Sequence, residues 1–473
     1  MCSESFALKL EIPSPVLEIV NELHHHGYQA FIVGGAVRDI QLGQRPKDWD
    51  IATDALPEDV ESIFGERAIP TGERFGTITV VFHRGEKAGS GQAKGADYLE
   101  EDGHAAEVTT FRSDGIYSDG RRPDSVSFSS SIEEDLARRD FTINALAYDP
   151  FRHEIVDPFN GMRDLRERRI SCVGKPEARF KEDALRMLRA VRLAAELSFE
   201  ICPDTKHAIL SMAHSITKIS KERIRAELDR MLVSPDVKRG LDLLQGTGLL
   251  GHIIPELQQT VGMEQGSNHI HTVWRHTMDA VCRIEPALAL RLAALLHDVG
   301  KPATLSRDEQ GRIWFHHHDI VGAEIAASIM RRLGYPSDLI THVSSLIKYH
   351  MFRFNTEATD GDIRRLVAQL GLDFIYDLAK LREADREATG TMHGMGENMT
   401  LLLHRIREAL ARGPILHLKD LAIDGSDIMD ILNIPPGPKV GAILHRLLDM
   451  VMDDPSLNTK EKLLELAREL NNH

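Results

Sequence analysis

Residues 33–53 read VGGAVRDIQLGQRPKDWDIAT and place a glycine pair ahead of two aspartates one residue apart. QAFIVGG, residues 29–35, predicts a buried strand running into a glycine turn, and KDWDIAT, residues 47–53, predicts a second strand. On a strand, residues two apart face the same side, roughly 6 to 7 Å from one another. Asp48 and Asp50 are therefore expected to project together while Trp49 packs the other way. Two uncompensated carboxylates on one face are costly. Divalent cations remove that cost, and hard oxygen donors suit magnesium. Two ions about 3.5 to 4 Å apart can clamp both the attacking and the leaving oxygen of a phosphoryl transfer. Glu107, in EVTTF, is the best-placed third carboxylate. Gly34 and Gly35 would let the backbone approach a triphosphate. Arg38 is a candidate phosphate partner, and Asp39 a candidate anchor for the turn.

Outward from this stretch, residues 14–27 predict an amphipathic helix ending at Gly27, and GTITVVF (76–82) and AAEVTTF (105–111) predict strands. Residues 84–104, rich in Gly, Lys and Ala, read as a mobile connection. Mixed strands closing near Pro150 suggest an α/β head. From about residue 163 the pattern turns helical, with Ala184, Leu188, Val191 and Ala195 at the spacing of one helix face. The expected fold class is thus α+β and multidomain, and 473 residues allow three or four domains.

A formal charge of −15 argues against a protein that coats nucleic acid indiscriminately. The arginine-rich run 162–192 leaves room for one local basic surface, although a solvated helix face is the bland alternative. No apolar run approaches the length of a membrane span. The N-terminus lacks the layout of a signal peptide, and four scattered cysteines read as free thiols of a cytoplasmic protein. The triplet His24–His26 is read as surface.

EDALR, residues 182–186, is expected to lie on one helix, with Glu182, Asp183 and Arg186 sharing a face. An exposed salt bridge is the bland reading. The alternative rests on donors and acceptors. Cytosine and adenine present an amino donor beside a ring-nitrogen acceptor, whereas uracil and guanine present a carbonyl beside a ring N–H. A carboxylate next to a guanidinium complements the first pair and clashes with the second.

Farther on, HTVWRHTMDAV, LAALLHDVGKP, FHHHDIVGAEIA, LIKYHMF and LREADREA carry histidines and aspartates in the order H, HD, H, H, D. Imidazoles and carboxylates together suit a transition metal better than magnesium. Bound water on such a metal could hydrolyse a phosphomonoester or cyclic phosphate. Packed or solvated histidines of a degenerate helical domain are the alternative.

GGAVRD with DWD, RRPDSV (121–126), RRDFTINALAYD (138–149), DPFNGMRDL, RFKEDALRMLRAVRLAAELSF, ISKERI and LAIDGSDIMDILNIPPGPKVGAIL together resemble class II CCA-adding tRNA nucleotidyltransferases. These belong to the DNA polymerase β superfamily with bacterial poly(A) polymerases. The resemblance implies that Asp48 and Asp50 bind two magnesium ions and that Arg139, Asp140 and Asn144 contact the incoming nucleotide. A capped helix start is the other reading of RRDFTINA. It also implies that Asp183 and Arg186 read the base, with Glu182 orienting the arginine; Arg189 is counted with this nucleotide-binding set. The histidine region resembles the HD phosphohydrolase superfamily. That likeness implies a metal on His276, His297, Asp298 and Asp385, and a second site on His318 and His350.

The implied domains are a nucleotidyltransferase head (1–155), a helical nucleotide-selecting neck (156–260), an HD domain (261–390) and a helical tRNA-binding tail (391–473). Lys439, in NIPPGPKVG, is the candidate RNA contact in the tail. The implied substrates are tRNA, CTP and ATP. Residues 112–126 resemble the loop of full CCA-adding members, and no basic extension follows NTKEKLLELARELNNH. The rivals are CC- or A-only addition, poly(A) synthesis, a phosphohydrolase with a non-catalytic RNA-binding head, and an RNA-binding scaffold.

Overall fold

A computed structural model describes residues 12–72, 76–82, 105–115, 125–266, 271–415 and 417–471. The connection 84–104, most of the loop 112–126 and most of RRPDSV lie outside these residues. The chain divides into two compact units, Met1–Ile253 and Ile254–His473. No helix of the described residues is long and apolar enough to cross a membrane.

The first unit opens with α1 (Ser14–His25), β1 (Ala30–Val33), α2 (Gly35–Gln41), β2 (Asp50–Thr53) and α3 (Pro57–Phe64). There follow β3 (Ala68–Gly72), β4 (Thr77–Val81), β5 (Ala105–Thr110), β6 (Arg112–Asp114), β7 (Val126–Phe128), α4 (Ile132–Ala137), β8 (Ala147–Asp149) and β9 (Glu154–Val156). Seven strands form one mixed sheet in the order β3-β4-β5-β2-β1-β8-β9. β1 is buried at all four positions, as a central strand covered on both faces must be. β5 alternates instead. Ala106, Val108 and Thr110 turn inward, which leaves Glu107 on the open face. Phe31, Val33, Ala52, Phe111, Leu136 and Ala147 share one packed core.

Beyond the sheet the unit becomes helical, with α5 (Gly161–Arg166), α6 (Pro176–Glu182), α7 (Leu185–Leu197), α8 (Pro203–Met212), α9 (Lys221–Leu232) and α10 (Val237–Gly246). The expected helix across EDALR is broken. Asp183 has extended backbone angles, φ −149° and ψ 106°, and separates α6 from α7. Its carboxylate accepts the Leu185 backbone N–H at 3.0 Å. An aspartate that bonds backbone two residues on competes with helical hydrogen bonding, which accounts for the break.

The second unit is built on α11 (Val273–Arg283), α12 (Leu288–Leu296), α13 (His318–Arg332), α14 (Ser337–Tyr349), α15 (Asp360–Leu370), α16 (Leu372–Ala388), α17 (Glu397–Arg412), α18 (Gly425–Leu432), α19 (Pro438–Asp453) and α20 (Lys460–Asn471). α18, α19 and α20 close a core of their own around Ile428, Leu447, Val451 and Leu463.

Candidate functional site

The glycine turn and the carboxylates meet because of strand register. Val33, the last residue of β1, pairs with Asp50, the first of β2. On its other side Asp50 pairs in parallel with Glu107 of β5. Gly34 follows Val33 directly and turns the chain with φ +74°. A Cβ there would lie 2.8 Å from Arg139 Nη1 and 3.4 Å from Asp50 Oδ2. A side chain there must displace the end of Arg139, and φ is in the region that favours glycine. Gly35 is an ordinary helical residue whose Cβ would clear its neighbours.

Asp48 departs from the expected geometry. It sits in an exposed bend ahead of β2 rather than on the strand, because β1 ends at Val33 and leaves residues before Asp50 without a partner on that side. Trp49 is buried as expected. Burial raises the Asp50 carboxyl above its usual range; the Arg139 charge opposes this and Asp48 adds to it. Partial desolvation and then the charges of Asp50 and Asp48 raise Glu107. A cluster of mutually repelling carboxylate oxygens fits a hard divalent cation. Asp48, Asp50 and Glu107 are not, however, among the trios whose ligand atoms converge within 4.8 Å.

Arginines are fixed around these acids. Asp135 on α4, fully buried, takes Arg138 at 2.7 Å and Arg139 at 3.1 Å. RRDFTINA contains no capped helix start, only a 3-10 turn at Thr142–Asn144 without a side-chain cap. Its polar residues bond one another instead. Asn144 donates to Asp140 at 3.0 Å and accepts from Arg38 at 2.7 Å. Arg189 holds Asp140 at 2.8 Å. Burial would raise the Asp140 carboxyl, but Arg189, Asn144, Arg186 and the Phe141 N–H bring it down to about 2. Asp39 does not anchor the turn. Its carboxylate takes Arg38, the adjacent residue, at 2.6 Å.

In the EDALR element, Glu182 accepts Arg186 at 2.6 Å, as expected, but it also takes Arg179 at 3.0 Å. Asp183 is held by Arg223 at 2.6 Å. Asp48, Asp50, Asp140, Asn144, Asp183 and Arg186 all line one cleft of about 860 Å³. Basic residues outnumber acidic ones nine to six on its walls, the reverse of the chain as a whole. A locally positive cleft that also carries carboxylates can take a polyphosphate while keeping oxygen ligands for a cation. Sequence reasoning missed Asp135, Arg179 and Arg223. Asp135 lies four residues before Arg139, an i,i+4 spacing that could have pointed to it.

A second cluster lies in the second unit, where the six predicted residues come together from α11, the segment after α12, α13, the end of α14, and α16. His276 Nε2 is 3.2 Å from His297 Nε2 and 3.1 Å from Asp385 Oδ1. His318 Nε2 is 3.3 Å from His350 Nε2. Among the described residues two trios have convergent ligand atoms, His276–His297–Asp298 and Asp298–His318–His350, with Asp298 common to both. Such a donor set fits a divalent transition metal. A Cβ at Gly300 would collide with the His318 carbonyl oxygen, so glycine lets the two ligand-bearing segments touch. Lys301, unnoticed in the sequence, bonds Asp298 at 2.7 Å and Gln265 at 2.6 Å. His24–His26 at the end of α1 are half-buried or exposed, and Lys439 is exposed in the first turn of α19.

Residues 30–171 match the model of a Poly A polymerase head domain. Residues 198–260 match a Probable RNA and SrmB- binding site of polymerase A, and 306–467 a tRNA nucleotidyltransferase domain 2. Sheet, carboxylates and cleft thus define a nucleotidyltransferase of the polymerase A type, a class whose chemistry implies a divalent metal. The chain is 46% identical to a CCA-adding enzyme of Geobacillus thermodenitrificans over 94% of both chains, and 34% identical to that of Geobacillus stearothermophilus over 96% of both. A crystal structure of the Bacillus stearothermophilus CCA-adding enzyme in complex with CTP superposes with a TM-score of 0.70 at 30% identity, covering 98% of each chain. The chain belongs to the family of CCA-adding enzymes.

Proposed function

We propose that this chain adds C, C and A to the 3′ end of tRNA from CTP and ATP without a nucleic-acid template. The tRNA 3′ hydroxyl attacks the α-phosphorus, and pyrophosphate leaves. The carrying observation is that the Asp50 carboxylate end and the Asp183–Arg186 pair line the same cleft. Two magnesium ions on Asp48 and Asp50, with Glu107 beside them, would supply charge neutralisation and activation of the attacking oxygen. Gly34 leaves the backbone open to the phosphates, and Arg139, fixed by Asp135, faces them. Arg38, Asn144, Asp140 and Arg189 form one bonded chain that presents fixed donors to ribose and phosphate. Asp183 and Arg186 accept the amino edge of cytosine or adenine and reject uracil and guanine.

In this arrangement residues 1–155 form the head, 156–260 the nucleotide-selecting neck, 261–390 the HD domain and 391–473 the tail. Lys439 on the tail meets tRNA phosphate. The enzyme works in the cytoplasm, where tRNA and reduced thiols coexist. The His276–Asp385 cluster supports a second activity, hydrolysis of a phosphomonoester or cyclic phosphate at a divalent transition metal. Arg186→Ala tests the selecting element: incorporation of all four nucleotides should become less selective, and unchanged selectivity would remove the pair from the mechanism.

A further inference from the structure

Asp183 and Arg186 line the cleft; Arg223, the third residue of α9, does not. Arg223 stands forty residues away in sequence and grips Asp183 in a fork, Nη2 donating to Oδ2 at 2.6 Å and Nη1 to Oδ1 at 3.3 Å. The Leu185 backbone N–H donates to Oδ1 as well, at 3.0 Å. A carboxylate oxygen offers roughly two acceptor sites. On Oδ1 both are taken, whereas on Oδ2 one is taken and one remains.

We propose that Arg223 is a positioning residue for nucleotide selection. It fixes the plane of the Asp183 carboxylate so that a single acceptor faces the cleft, matched to the one exocyclic amino group of cytosine or adenine. The proposal rests on Asp183 and Arg186 reading the base. The physical need is rigidity. A carboxylate free to rotate could turn an oxygen toward the ring N–H of uracil or guanine and accept it, and discrimination would fall. A planar guanidinium held through two N–H groups stops that rotation, and a lysine, with one point charge, does not. Arg223 touches no part of the nucleotide in this arrangement. A purely structural role, tying α9 to the α6–α7 junction, would alter stability and leave base preference alone.

The test uses the full chain, a tRNA lacking its terminal residues, and kcat/KM for single incorporation of CTP, ATP, UTP and GTP. Arg223→Met and Arg223→Lys are compared with Asp183→Asn and Arg186→Ala, and thermal unfolding is followed for each. The preference for CTP over UTP should fall about tenfold or more in Arg223→Met, and by a smaller factor in Arg223→Lys, which should unfold at the parent temperature. Should Arg223→Met fail to fold, Arg223→Lys alone decides. Wild-type preference in the Arg223 variants, with preference lost in Asp183→Asn, overturns the positioning role and leaves base reading intact. Wild-type preference in Asp183→Asn and Arg186→Ala overturns base reading, and the role of Arg223 with it.

Discussion

Asp50 and Glu107 stand opposite each other on adjacent parallel strands, β2 and β5. In this pairing the two side chains point to the same face of the sheet. Asp50→Asn should lower kcat for nucleotide addition by about a thousandfold or more, with KM for tRNA little changed. Glu107→Gln should cost about ten- to a hundredfold by the same measure. Single-turnover rates on preformed tRNA complexes separate the two, and a fully active Glu107→Gln would remove it from the metal-binding set.

Gly34→Ala combines a backbone angle of φ +74° with a methyl 2.8 Å from Arg139 Nη1. The expected result is a loss of about 1 to 2 kcal/mol in stability, seen by denaturant unfolding. Activity should fall further than stability explains, because the methyl displaces Arg139 from Asp50. Gly35→Ala, where a Cβ meets no protein atom closer than 3.5 Å, is the control for stability and should unfold like the parent chain.

The Asp140–Arg189 pair sets a pH dependence. Asp140 is held at about 2, below the ordinary carboxylate value of 3.8. A depressed carboxyl contributes stability that is present above its unfolded pKa and lost as pH falls through its folded one. That contribution is on the order of 2 kcal/mol for a shift of this size. Arg189→Met should therefore be less stable than the parent chain at neutral pH. The gap should narrow as pH drops from about 4 toward 2, as acid-unfolding curves of the two chains would record. Parallel curves across that window would rule out the pair as its source.

The second unit makes its own prediction. His297, fully buried, contacts His276 and Asp298. His297→Ala should reduce bound transition metal in elemental analysis and abolish hydrolysis of a generic phosphodiester such as bis-p-nitrophenyl phosphate, leaving CCA addition near the parent rate. Loss of both activities together would contradict independent sites.

What could be read from sequence was local. The Gly34 turn, the strand positions of Asp50 and Glu107 and the chain order of the six clustered histidines and aspartates are legible because residue type and strand or helix period carry the information. The break at Asp183 was not, since a side chain bonding the Leu185 N–H overrides helix spacing. Nor was the position of Asp48, which depends on where β1 stops pairing. Arg223 on Asp183 is a contact between residues forty apart, and the sheet order β3-β4-β5-β2-β1-β8-β9 is equally non-local. No pattern along the chain encodes either one.

The most direct measurement is incubation of the purified chain with tRNA lacking CCA, magnesium, and labelled CTP and ATP, read on a sequencing gel. A CCA-adding head yields product that stops after C, C and A, and a chain carrying Asp48→Asn with Asp50→Asn yields none. A long A tail, a product lacking C, or full extension by that double variant would contradict it.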